Sequence, residues 1–338
     1  MKKKIIQIAI IATGLTALIA YVFKKEGVRQ LWDKLCSVDY WYVTLALLCM
    51  IASLIFDGIC IHIVRLKFQP EAGLCSSMQC GFISTALGYV TPFQAGYVAG
   101  AIAYLSSNQG MKPSDASVVT LVKLIYYTIA AIVTHVILII FNASQFDFAP
   151  IIWVITAVGI GFSVIYMLFL MMVSKFQKPI AAIAVALFRF AGRLHIIKHQ
   201  DRLSWKAKVE IHNLKTKLSR IHLGFKSSCL LMLACIGSFM AVYFVSWFIY
   251  LSFHPSSQLS LGYVLTGNVI CQVIQQISPI PGGIGIVDTA FTQIMNRIYG
   301  SNLNVAMLLW RIASLYMVIL IGLIILTFSK KRQDKALH

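Results

Sequence analysis

The sequence predicts an all-α polytopic membrane protein. It reads as one membrane domain over residues 1–338, whose parts 39–141 and 226–329 are inverted repeats, each with a broken or re-entrant segment. Three observations carry that expectation. Of 338 residues, 59% are hydrophobic and 12% charged, against roughly 25% charged in soluble domains. Apolar runs of about 20 residues, enough to cross a bilayer, recur along the chain. Two further apolar stretches carry prolines and glycines at matching places.

The first run, 5–23, follows Met1-Lys2-Lys3-Lys4 and has no small-x-small cleavage site before Lys24, so it reads as a retained helix. Further helices are expected near 39–61, 115–141, 149–173, 226–253 and 303–329. The interrupted stretches are 72–106 and 260–300. Between 174 and 226 lie twelve Lys or Arg against Asp201 and Glu210, which places that basic segment in the cytoplasm by the positive-inside rule. Within it Phe176, Ile180, Ile183, Leu187, Phe190 and Leu194 recur at near-helical spacing around Pro179. That pattern suggests a helix on the cytoplasmic surface, attracted to anionic lipid headgroups.

Lys2–Lys4 and Lys330-Lys331-Arg332 agree with cytoplasmic termini, while 142–149 and 254–259 contain no Lys or Arg and read as external. The 24–38 loop, with Lys24, Lys25, Arg29 and Lys34, is the exception. With these sides fixed, 260–300 must leave and return on the outside, and 72–106 on the inside. The halves are then inverted in outline. Pro92 falls 53 residues after Asp39 and Pro281 falls 55 after Lys226. Each break reads Pro-x-x-x-Gly, Pro92 to Gly96 through Gln94, and Pro281 to Gly285 through Gly282 and Gly283. In hydrocarbon every backbone N–H and C=O must be paired internally, so such breaks need a protein-lined or watery cavity. Paired breaks in inverted repeats are a pointer to a transport site.

Ionisable residues inside spans cost ~2.5–3.5 kcal/mol at a helix centre and usually face a partner or water. Arg311, Asp288 and Lys123 are the candidates. Arg311 suits bidentate contact with a lipid phosphate, Asp288 would be its resting counter-ion, and Lys123 a second phosphate contact. Asp57 reads as an interfacial residue near Arg65. Gln272 and Gln276, with Gln275 and Asn268, lie at helical spacing before the second break and are expected to line a cavity. A half-helix starting after Gly283 would offer free N–H groups to a phosphate oxygen.

The eight cysteines show no C-x-x-C spacing and the histidines no metal motif, so no metal site and no cofactor are expected. Walker, dinucleotide and nucleophile-elbow motifs are absent. The basic charge has no stacking motif beside it, which argues against nucleic acid as a partner.

Ser278-Pro279-Ile280-Pro281-Gly282-Gly283-Ile284-Gly285, with Asp288 following and Arg311 in Leu309-Trp310-Arg311-Ile312, resembles the lysylphosphatidylglycerol synthase transmembrane-domain family of flippase-like integral membrane proteins. The resemblance covers nearly the whole chain in segment order, and its second-half motif is the specific part. It implies a membrane domain that moves lipids between leaflets. The soluble aminoacyl-transfer domain of bifunctional members is not expected here, since ten residues follow the last span. Family members usually carry Glu at the position of Asp288, and Arg, Glu and Arg at those of Gln94, Tyr97 and Gly100. This chain therefore has fewer charges on one side of the implied cavity, and its headgroup need not be the family's.

The expected activity is a lipid flippase or scramblase for an anionic phospholipid or polyprenyl-phosphate lipid in the cytoplasmic (inner) membrane. It would be a transporter and not an enzyme, with a homo-oligomer compatible with this class. The alternative is a non-transporting scaffold for a lipid-modifying or glycan-synthesising enzyme.

Overall fold

The structure is a computed structural model that describes residues 28–145, 150–172, 216–218, 221–256 and 259–336. The expected span at 5–23, the surface helix around Pro179 and most of the basic segment lie outside the described residues. Among those described there is no strand. The helices are α1 (Val28–Cys36), α2 (Tyr40–Arg65), α3 (Leu74–Tyr89), α4 (Gly96–Ser107), α5 (Pro113–Asn142), α6 (Pro150–Met172), α7 (Phe225–Phe253), α8 (Leu261–Ile277), α9 (Ile286–Tyr299), α10 (Leu303–Arg311) and α11 (Met317–Ala336). One-turn 3₁₀ segments occupy Pro92–Gln94 and Pro281–Gly283. Five stretches among the described residues are long and apolar enough to span a membrane.

Local chemistry sets the ends. Asp39 caps α2 by accepting the Trp41 amide at 2.9 Å, Ser260 caps α8 at the Tyr263 amide, and Pro113 begins α5, where a missing N–H costs nothing. The expected helix at 303–329 is interrupted. Directly after Arg311 the chain makes a π turn, Ile312–Tyr316, a distortion that often accompanies functional positions.

Helices α2 and α7, which open the two halves, run antiparallel along their length. The Asp39 amide donates to Ser252 O, Ser53 meets Ser238, and the Cys60 and Cys235 sulfurs lie 3.4 Å apart. The remaining pairings are reciprocal. Helix α3 packs on α11 and α8 packs on α5, with Gly322 close against Ala86 and Thr266 Oγ1 donating to Leu138 O. Helices α3 and α4 form a hairpin that returns to the end it left, because Arg65 binds both Ser76 and Gln109. Helices α8 and α9 do the same at the opposite end, where Ser260 binds Gln145 and Lys34 binds Ser301 O. Outward-facing apolar side chains such as Phe141, Val158, Ile165, Leu233 and Phe328 remain exposed, as a lipid-facing surface requires.

Candidate functional site

The two breaks share one backbone geometry over their first three residues. Each begins with proline at the first position of a 3₁₀ turn, and the next two residues take left-handed φ values: Phe93 at 52° and Gln94 at 54°, Gly282 at 64° and Gly283 at 66°. Glycine adopts that region freely, whereas L residues pay roughly 1–2 kcal/mol each. The first break is therefore strained where the second is not. The turns touch, and the Phe93 amide donates to Ser278 O at 3.4 Å. Gly96 is required beside the first turn, since a Cβ there would lie 2.2 Å from Leu87 O.

A cavity of about 460 Å³ opens beside the first break. Phe93 and Gln94 form one wall, Tyr89 and Tyr97 another, and Tyr127, Phe162 and Tyr166 cover it from α5 and α6. Among the described residues its charged side chains are Asp57 and Lys123. The Lys123 ammonium pairs with Asp57, with side chains 2% and 7% exposed, and lies 4.4 Å and 4.0 Å from the ring centres of Tyr97 and Tyr127. Tyr97 donates its hydroxyl to the other Asp57 oxygen at 2.9 Å. Close packing of α2 on α3 makes the site: a Cβ on Gly58 would fall 2.5 Å from Met78 Cα, and one on Gly81 3.2 Å from Asp57. Removing one member of such a buried pair costs about 3–5 kcal/mol, because the other charge is left uncompensated.

The second cluster is arranged differently. Arg311 donates Nε to Asp288 at 2.6 Å, Nη1 to Gly282 O at 2.9 Å and Nη2 to Gly283 O at 3.4 Å. Asp288 also accepts the Gly285 amide at 2.8 Å and so caps its own helix, α9. Arg311 is 1% exposed and is not among the residues lining the cavity. In this conformation its fork holds the carbonyls of the second break, and the α9 amide end offered to a phosphate is occupied by Asp288.

The structure thus divides the expected constellation. Lys123, Gln94 and Gln276 reach the cavity, with Gln276 accepting from Ser163 at 3.0 Å. Pro92, Gly96, Pro281, Gly282, Gly283 and Gly285 shape the breaks. Gln272 is half-buried away from the cavity lining. Asn268 instead donates to Val242 O across α7. Asp57 is not interfacial but buried beside Lys123, because α2 continues to Arg65 and leaves it two turns from the helix end. Sequence reasoning missed Tyr127, for which the available signal was an aromatic four residues after Lys123, one turn along the same face, and it read Tyr97 only as a lost charge, whereas its hydroxyl binds Asp57.

A family model described as the lysylphosphatidylglycerol synthase TM region matches residues 4–322. No curated protein matches the chain.

Proposed function

On the premise that the chain belongs to the lysylphosphatidylglycerol synthase transmembrane-region family, we propose that it is a lipid flippase or scramblase. It moves an anionic phospholipid or polyprenyl-phosphate lipid between leaflets of the cytoplasmic membrane, with both termini cytoplasmic, and acts as a transporter and not as an enzyme. The observation that carries this reading is the cavity beside the first break, with a buried lysine facing it. The antiparallel α2–α7 pair and the reciprocal α3–α11 and α5–α8 packing support an inverted repeat around that cavity.

A headgroup crossing a bilayer loses its water, and that desolvation sets most of the barrier. Lys123 supplies a fixed cation that replaces part of the lost hydration. In the resting state Asp57 holds the ammonium, so the phosphate exchanges with Asp57, while the Tyr97 and Tyr127 rings keep the ammonium in place. Arg311 and Asp288 act as a brace that fixes the second break. In this reading the basic segment holds anionic headgroups at the cytoplasmic surface.

Purified protein in liposomes tests this directly. Labelled anionic lipid, including a polyprenyl phosphate, should exchange leaflets faster than in empty liposomes without ATP, and lipids with uncharged headgroups should gain less. Exchange no faster than in empty liposomes with demonstrably folded protein would remove the transport reading.

A further inference from the structure

Arg65 closes α2 and is 3% exposed, yet among the described residues no carboxylate pairs with it. Its guanidinium donates to neutral oxygens instead: Nε to Gln69 Oε1 at 2.9 Å, Nη1 to Ser76 Oγ at 2.7 Å and Ser77 Oγ at 3.2 Å, and Nη2 to Gln109 Oε1 at 2.9 Å. Those acceptors satisfy four of the five N–H groups but leave the charge uncompensated, and a buried ion without a counter-charge is costly.

The same residue faces a cleft of about 490 Å³ together with Gln69, Gly73 and Gln109. Gly73 is the N-cap of α3 and makes no side-chain cap bond, so the positive end of the helix adds to the field in the cleft. Lys112 follows Gln109 closely, and Lys217 is bound to Asp115 and Ser114 in the next turn. Glu71 also borders the cleft, but it is exposed and makes no ion pair with Arg65.

We propose that this cleft is a phosphate-binding site separate from the transport cavity, taking the phosphate of a lipid headgroup or free phosphate. The planar guanidinium matches two phosphate oxygens. The Gln109 amide, which now presents oxygen to Arg65, can turn its NH₂ group to the anion, while Gln69 Nε2 stays with Gln109 O at 3.0 Å. The bound phosphate supplies the missing counter-charge. The site stands whether or not the cavity transports lipid.

The decisive variant is Gln109→Glu, which keeps an acceptor at the same place and gives Arg65 an internal counter-ion. Full-length protein in detergent would be melted with inorganic phosphate or chloride at matched ionic strength. In a second arm, native mass spectrometry would count retained phosphatidylglycerol against a glycosyl diacylglycerol, which has no phosphate. Wild type should respond to at least one phosphate source, and Gln109→Glu should bind it roughly tenfold more weakly or worse. A response to phosphatidylglycerol alone assigns the site to a lipid headgroup, and a response to inorganic phosphate assigns it to the free ion. Gln69→Glu supplies the same counter-charge should Gln109→Glu fail to fold, at the loss of the Gln69 Nε2 bond to Gln109 O. Equal responses in wild type and the folded variant, or none in either, would overturn the proposal and leave Arg65 as a clamp on the chain between α2 and α3.

Discussion

Lys123 on α5 pairs with Asp57, 66 residues earlier on α2, and the Tyr97 hydroxyl binds the same carboxylate. Three helices are tied at one buried point. The pair is neutral as a unit, so its two members should be separable by mutation only at high cost.

Lys123→Gln or Asp57→Asn alone leaves the partner charge unpaired and should lower stability by about 3–5 kcal/mol. The double variant Asp57→Asn/Lys123→Gln should recover most of that loss while leaving leaflet exchange defective, because the cavity has lost its cation. Thermal unfolding in detergent beside the liposome assay separates the two effects. Full exchange in the folded double variant would exclude Lys123 as the phosphate ligand.

Arg311→Gln should destabilise by a similar amount, since it frees Asp288 and two break carbonyls at once. Arg311→Lys retains the charge but cannot reach all three acceptors, so it should fall between wild type and Arg311→Gln in melting temperature. Loss of transport in Arg311→Lys with wild-type stability would show that Arg311 touches the lipid and is more than a brace.

Gln94→Gly should be neutral or stabilising by up to about 1 kcal/mol. It relieves a left-handed φ of 54°, worth roughly 1–2 kcal/mol, against about 0.4–1 kcal/mol of added chain entropy in the unfolded state. Gly96→Ala should do the opposite and destabilise by about 1–3 kcal/mol, because the Leu87 carbonyl occupies its Cβ position. Equal stability of Gly96→Ala and wild type would contradict the geometry of the first break.

Cys60 and Cys235 should cross-link readily under a membrane-permeant oxidant, as their sulfurs already lie 3.4 Å apart. Cleavage at an inserted protease site between residues 173 and 215 would then leave the two halves joined until reduction. Halves that separate under oxidising conditions would show a different α2–α7 register.

The class of this protein was legible from hydropathy and charge alone, because a membrane demands long apolar helices wherever the chain crosses it. Proline and glycine likewise marked both breaks, since backbone freedom is a local property of residue type. Those residues also carried the family resemblance. The Asp288–Arg311 pair was legible and is present, but the Asp57–Lys123 pair was not. Asp57 pairs with Lys123 because α2 packs on α5, and that packing brings together residues far apart in sequence. Arg311 fell to the second break rather than to the cavity because the π turn after it and the carbonyls of Gly282 and Gly283 fix its direction. Sequence therefore determined which residues carry charge, where the helices break and which acid faces Arg311, whereas the Asp57–Lys123 pair and the shape of the cavity depended on the packing of α2 to α6 and α8.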